Sequence, residues 1–234
     1  VPLLDNSMAI SSVMIANPSG EEMMLLKMED HFIYRHTRLR ANELINRRYR
    51  IYQNDDLTFE AQFLNEINDY DPRSRPWYQT AEHSELEELK WTENPYFFFT
   101  TKEVGITLSG RFKDQNDSSF YVGFDVKLND ISELTESLKI GKNGMVFVCS
   151  KDSLMVGLPK IARLDSIERN KLLLEHMKDF PSKRVKFAFN SLKDIGLSGE
   201  AKQIEYQRER WWIHQKLFEV NNLDLSMIMM GREK

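Results

Sequence analysis

The sequence predicts an α+β fold of two tandem modules, each a central antiparallel sheet flanked by helices. Three observations lead there. The chain has 234 residues, room for two small domains. The same order of elements, a hairpin, a helix and then antiparallel strands, can be read twice along it. In the best-patterned stretch, Phe120, Val122, Phe124, Val126 and Leu128 alternate with Tyr121, Gly123, Asp125 and Lys127, the period of a half-buried strand.

The first module opens with Ile10–Asn17, rich in β-branched and small residues. The turn Pro18-Ser19-Gly20 and the apolar run Met23–Met28 complete a hairpin. Glu29 to Thr92 reads as a long irregular stretch with one helix around Phe59–Asn68. Three strands follow, Pro95–Thr101, Ile106–Lys113 and Phe120–Leu128, the last two joined by the polar cluster Asp114-Gln115-Asn116-Asp117. Asn129-Asp130 reads as a cap for a connecting helix through Ser132–Lys139, with Ile131, Leu134 and Leu138 at helical spacing.

The second module begins with Met145–Ser150, turns at Lys151-Asp152-Ser153 and returns along Leu154–Gly157. A helix is expected over Ile167–Phe180, stopped by Pro181. Three strands close the chain: Arg184–Ser191, Gln203–Gln207 continuing into Trp211–Phe218, and Leu223–Met230. The boundary falls near Lys139–Lys142, giving modules of residues 1–139 and 140–234.

Composition excludes several classes. Hydrophobic residues make up 41% and charged residues 29%, as in an ordinary globular protein. Lys+Arg 32 against Asp+Glu 36 gives a net charge of −4, without the basic field of a nucleic-acid binder. No apolar run approaches the ~20 residues of a membrane helix. One cysteine, Cys149, excludes an internal disulfide and sits in the apolar run Met145–Cys149 as a core residue. His31, His36, His83, His176 and His214 lack metal-ligand spacing; neither a nucleophile elbow nor a Walker loop is present. Thus no catalytic residue, metal or cofactor is expected. Arg35, Arg38, Arg40, Arg47, Arg48 and Arg50 form a local basic stretch, read as a surface loop balanced by acidic neighbours rather than a phosphate or anionic-lipid contact. The chain starts at Val1 and reads as a piece of a longer protein.

One segment carries chemistry: Tyr70-Asp71-Pro72-Arg73-Ser74-Arg75-Pro76-Trp77-Tyr78. Two prolines stiffen the backbone without making it regular. An arginine fork grips a carboxylate, and Trp and Tyr supply apolar walls with a donor at the rim. Two readings stand side by side: a preformed site for a small anion or zwitterion, and a structural loop tied down by Arg–aromatic stacking.

This nonapeptide resembles the hallmark of double Cache sensor domains, the extracytoplasmic ligand-binding regions of chemoreceptors, sensor histidine kinases and diguanylate cyclases. Asn94-Pro95-Tyr96, Gly105-Ile106-Thr107-Leu108-Ser109, Tyr121-Val122-Gly123-Phe124-Asp125-Val126 and the linker Leu138–Val148 follow in the family's order. The resemblance implies two stacked PAS-like modules, ligand-binding and membrane-distal over 1–139, membrane-proximal over 140–234. Of the family's long N-terminal helix, only the last turn is expected before Ile10. In the amino-acid-binding branch, residues at the positions of Arg75 and Trp77 hold the ligand carboxylate, while Tyr70, Tyr78 and Asp125 enclose the ligand and its ammonium; Tyr96 closes one side. Phe98 departs from that branch, which carries an Asp there. The resemblance further implies a small-molecule partner (amino acid or carboxylate), a membrane-tethered receptor, a homodimer, and no enzymatic activity in the sensor itself. The alternative is a non-sensing interaction module with the Tyr70–Tyr78 loop as scaffold. Trp211-Trp212 is read as packing.

Overall fold

The computed structural model describes residues 4, 7, 9–41, 43–53, 59–67, 69–141, 143–161, 164–195 and 199–233. The chain divides into two compact units, Val1–Lys127 and Leu128–Lys234.

In the first unit the elements are β1 (Ser12–Ala16), β2 (Glu22–Lys27), β3 (Phe32–Arg40), β4 (Glu43–Gln53), β5 (Phe59–Ile67), a 3₁₀ turn (Pro72–Ser74), α1 (Pro76–Glu82), β6 (Leu89–Trp91), β7 (Tyr96–Phe97), β8 (Val104–Lys113) and β9 (Ser119–Lys127). They form one antiparallel sheet in the order β5-β4-β3-β2-β1-β9-β8-β6, with β7 also on β8. The expected irregular stretch is therefore mostly a three-strand meander, and Phe59–Ile67 is a strand, not a helix; Asn68 lies outside the described residues. Phe59, Phe63, Leu64 and Ile67 do recur at helical spacing. Cross-strand partners on β4 decide otherwise: Arg47 pairs with Glu66 at 3.0 Å and Arg48 donates to Asn65 at 2.8 Å. The basic stretch likewise lies on β3 and β4 rather than in a loop.

Inward-facing residues alternate along each strand: Ser12, Met14 and Ala16; Glu22, Met24 and Leu26; Ile33, Arg35 and Thr37; Tyr121, Gly123 and Asp125. Trp77, Tyr78 and Ala81 of α1 pack onto this face with Met14, Ala16, Met24, Leu26, Ile33 and Tyr121. Burying an aromatic side chain this fully contributes roughly 1.5–3 kcal/mol. Gly123 is needed for that approach, since a Cβ there would stand 3.0 Å from both Trp77 Cε3 and Met14 Cε.

The second unit comprises α2 (Leu128–Ser137), β10 (Met145–Ser150), β11 (Met155–Gly157), α3 (Ser166–Leu172), α4 (Lys183–Ile195), β12 (Lys202–Tyr206), β13 (Glu209–Val220) and β14 (Leu223–Arg232). Its sheet runs β11-β10-β14-β13-β12. The connecting helix groups with this unit, which puts the division earlier than residue 139. Leu128, Ser132 and Thr135 are its buried face; Thr135 donates to the Leu158 carbonyl at 2.6 Å, and Ser132 accepts from the Leu158 amide at 3.0 Å. Leu134 and Leu138, read from sequence as lying at helical spacing, are exposed.

Arg184–Ser191 is helix, not strand: Val185, Ala188, Phe189 and Leu192 recur every three or four residues, and Val185 and Ala188 are fully buried. The helix expected over Ile167–Phe180 ends at Leu172. It starts in a capping box between Asp165 and Glu168; past its end the chain turns, with Leu174 at positive φ (71°), and the Leu174 amide donates to the Met155 carbonyl at 2.8 Å while the Met155 amide donates to that of Glu175 at 2.9 Å. Gln207 and Arg208 take positive φ (55° and 62°) and fold β12 back on β13 as a hairpin instead of a continuation. Trp211 is buried as expected, whereas Trp212, its neighbour on a strand, is exposed. Among the described residues no helix is long and apolar enough to cross a membrane.

Candidate functional site

The Tyr70–Tyr78 segment is regular after all, and its sequence explains how. The Asp71 side chain accepts from the Arg73 amide at 2.9 Å, capping the 3₁₀ turn whose first residue is Pro72. Arg73 also clasps the Asp71 carboxylate through Nε and Nη2, at 3.0 and 2.8 Å. Pro76 then occupies the first position of α1, where its missing N–H costs nothing. The result sets Tyr70 at the foot of α1 and drives Trp77 and Tyr78 into the sheet.

A small hollow lies under this segment, lined by Ser12, Met14, Met24, Leu26 and Arg35 of β1–β3; Tyr70, Arg75 and Trp77; Tyr96; the turn residues Phe98–Thr101; and Asp125. Five of the six residues singled out from sequence, Tyr70, Arg75, Trp77, Tyr96 and Asp125, thus meet around one space. Tyr78 does not. Its ring packs 4.5 Å from that of Tyr121, and its hydroxyl donates to the Asn17 carbonyl at 3.2 Å. It is a core residue because Trp77, one position earlier on the helix, takes the direction of the hollow.

At one end of the hollow, Asp125 is buried and receives the Ser12 and Thr107 hydroxyls, each at 2.5 Å. The Tyr96 hydroxyl lies 2.6 Å from that of Thr107 and extends the chain. Among the described residues no lysine, arginine or histidine forms an ion pair with Asp125. Burial raises its pKa to about 6, against the opposing effect of the two hydroxyls.

At the other end, the equally buried Arg35 forks onto Glu22, Nε to Oε2 at 2.8 Å and Nη2 to Oε1 at 3.0 Å. Nη2 also donates to the Tyr70 hydroxyl at 2.7 Å, which in turn donates to Glu22 at 2.7 Å; Nη1 donates to Thr100 at 2.7 Å. The guanidinium lies 3.8 Å from the Tyr70 ring centroid. Sequence reasoning missed this group by placing Arg35 in a surface stretch. The available signal was alternation: Ile33, Arg35 and Thr37 are every second residue, as are Glu22, Met24 and Leu26 on the partner strand.

Arg75 stands half-buried at the rim. Its Nη2 donates to the Phe97 carbonyl at 2.6 Å, and its guanidinium lies 5.4 Å from the Tyr96 ring centroid. Phe98 closes the hollow from the side, seated on Gly105 so closely that a Cβ there would lie 2.1 Å from Phe98 Cζ. The open volume left is about 20 Å³, room for a single water.

This arrangement sits inside a recognised sequence pattern, the methyl-accepting chemotaxis protein-like first PDC sensor domain, which matches residues 6–133, more than half the chain. The chain belongs to this family. Sensor domains of this kind bind ligands rather than catalyse reactions. Among curated relatives, the methyl-accepting chemotaxis protein McpB of Bacillus subtilis is 32% identical over 87 residues, 37% of this chain and 12% of McpB. PctB of Pseudomonas aeruginosa is 32% identical over 105 residues, 44% of this chain and 16% of PctB. The chain therefore matches only a small part of each relative's length.

Solved structures extend the likeness to the whole fold of the sensor. The ligand-binding domain of PctB in complex with L-Arg aligns over 100% of this chain and 75% of its own, with a TM-score of 0.54 and 16% identity. That of the Pseudomonas fluorescens chemoreceptor CtaA in complex with L-isoleucine aligns over 96% and 69%, with a TM-score of 0.52 and 15% identity. At such identities the agreement is one of fold, and it is the tandem Cache architecture expected from the sequence.

Proposed function

We propose that this sensor reports a small zwitterionic molecule, an amino acid in the first instance, from the extracytoplasmic side of a membrane-tethered chemoreceptor-type protein, through the hollow of its first unit. The carrying observation is Asp125: a carboxylate buried in a hollow, held by two hydroxyls and without an ion pair among the described residues. Such a group is costly unless something positive arrives to pair with it. A ligand ammonium supplies that charge. Its carboxylate meets an arginine, Trp77 and Tyr96 form the walls, and Tyr70 braces the floor.

The hollow is far smaller than any amino acid, so binding requires a wall to move. Phe98, Phe99, Thr100 and Thr101 all come from the single turn between β7 and β8, tied by the Phe98–Glu103 and Lys102–Phe98 backbone bonds. Displacing that one turn opens the site. The same tightness favours the rival reading, in which the segment is only scaffold.

A thermal-shift panel of the twenty amino acids and common carboxylates separates the two. A ligand at 100 times its Kd stabilises by about 2.7 kcal/mol. Asp125→Asn and Arg75→Ala are expected to reduce the shift in proteins that remain folded. A flat panel for the wild type, confirmed by calorimetry at millimolar ligand, would sink the sensing reading.

A further inference from the structure

The second unit holds a cavity of its own. On its sheet Cys149 stands opposite Ser226, Leu217 opposite Ser226 and Gln215 opposite Ile228, so these side chains share one face. α4 covers part of that face, where Val185 and Ala188 are fully buried. Beside Phe189 and Leu192, further along the helix, a cavity of about 380 Å³ remains, and every residue lining it belongs to this unit. That is more than twice the ~150 Å³ that holds a benzene ring, so a substituted ring or a short chain fits.

The walls are mostly apolar, Met177, Phe189, Leu192 and Ile228 among them. The Cys149 thiol joins them as a neutral group, its pKa pushed up to about 12 by burial. One polar pair interrupts this surface. Gln215 Nε2 donates to the Ser226 hydroxyl at 3.0 Å. That leaves Gln215 Oε1, shielded from solvent, without a donor among the described residues. The hydrogen of the buried Ser226 hydroxyl likewise has no acceptor among them. An acceptor and a donor side by side match a carboxamide fully and a hydroxyl in part. A buried acceptor without a donor is a standing cost that such a head group removes.

Charge points the same way. The charged residues lining the cavity are Lys151 and Lys193 on one side of the balance and Asp224 and Glu219 on the other, with Lys151 paired to Asp224 at 3.4 Å. With no surplus of either sign, an ion entering the apolar space would give up its water without a spare counter-charge.

We propose that this cavity is a second binding site, separate from the hollow of the first unit, for a small uncharged molecule with an apolar ring or chain and a carboxamide-like head. The head sits on Gln215 and Ser226, and the body lies along Met177, Phe189 and Leu192.

The sole cysteine supplies the readout, because Cys149 lines the cavity. Its modification by methyl methanethiosulfonate, followed by mass spectrometry, should slow as the cavity fills. The probes share one body and differ in the head: 3-phenylpropanamide, 3-phenylpropan-1-ol, propylbenzene, 3-phenylpropanoate and 3-phenylpropylammonium. In the wild type the amide should protect at about tenfold lower concentration than propylbenzene, as two neutral hydrogen bonds imply, with the alcohol between them. Both ions should need at least about tenfold more than the amide. Gln215→Leu keeps the bulk without the acceptor; propylbenzene should protect it as it does the wild type, while the amide loses its advantage. Leu192→Trp fills the space from α4 and should abolish protection by every probe. A wild type that no neutral probe protects at millimolar concentration overturns the site. Propylbenzene or an ion equal to the amide, or an amide advantage that survives Gln215→Leu, overturns the chemistry assigned to it.

Discussion

Asp125 links stability and recognition with opposite signs. Its folded pKa of about 6 stands above the ordinary 3.8 of an aspartate because burial opposes the charge. Well below pH 3.8 the carboxyl is neutral in both folded and unfolded chains and costs nothing. As pH rises through that window the unfolded state ionises first, and the folded protein loses stability, on the order of 3 kcal/mol once above pH 6. Asp125→Asn escapes this penalty. Its melting temperature relative to wild type should be level near pH 3 and climb to a plateau above pH 6.5 in a pH series of thermal melts. Ligand affinity runs the other way, since an ammonium needs the ionised carboxylate. Wild-type affinity for the panel's best amino acid should fall about tenfold from pH 7.5 to pH 5. Calorimetry at the two pH values reads this directly, and an affinity independent of pH would remove Asp125 from the site.

At the scale of elements, the nonapeptide shows what sequence can and cannot convey. Its chemistry was legible because residue types with fixed roles stand at fixed spacing: a capping Asp71, two prolines opening turns, and aromatics following the second. Which side chain enters the hollow was not, because Trp77 and Tyr78 are adjacent and helical phase alone separates them. The β3–β4–β5 meander was missed for a related reason. Glu22 and Arg35 are acceptable inward only as a pair, and pairing across strands is visible only once register is known. Of the two exchanged assignments, Phe59–Ile67 as strand shows tertiary partners overriding local spacing, whereas Lys183–Ile195 as helix follows its own three-to-four-residue apolar spacing. The turn that shuts the hollow depends on a contact equally invisible from sequence, the Phe98 ring on Gly105. Gly105→Ala must unseat that ring, because its Cβ would fall 2.1 Å from Phe98 Cζ. The expected cost is roughly 1–3 kcal/mol in urea melts. Phe98→Ala should cost less in the Gly105→Ala background than in wild type; strictly additive values would mean that the two residues do not share this seat.

For the whole molecule, the division into two units decides how far binding energy travels. Each unit has its own antiparallel sheet and its own buried residues. The hollow draws every wall from the first: β1–β3, the Tyr70–Trp77 segment, the β7–β8 turn and β9. A ligand therefore slows hydrogen exchange at amides whose opening destroys that hollow. At 100 times Kd the slowing is about a hundredfold. Amides of β10, β13 and β14 that exchange through the second unit's own opening should keep their ligand-free rates. Receptor signalling demands something more, because a ligand biases an arrangement of modules only if its affinity differs between arrangements. Hydrogen-exchange mass spectrometry with the best amino acid of the panel measures both effects together. Protection confined to the first unit is the expected result. Equal slowing of the β10–β14 amides would show that the two units open as one cooperative body, and that binding energy reaches the second sheet without any separate rearrangement.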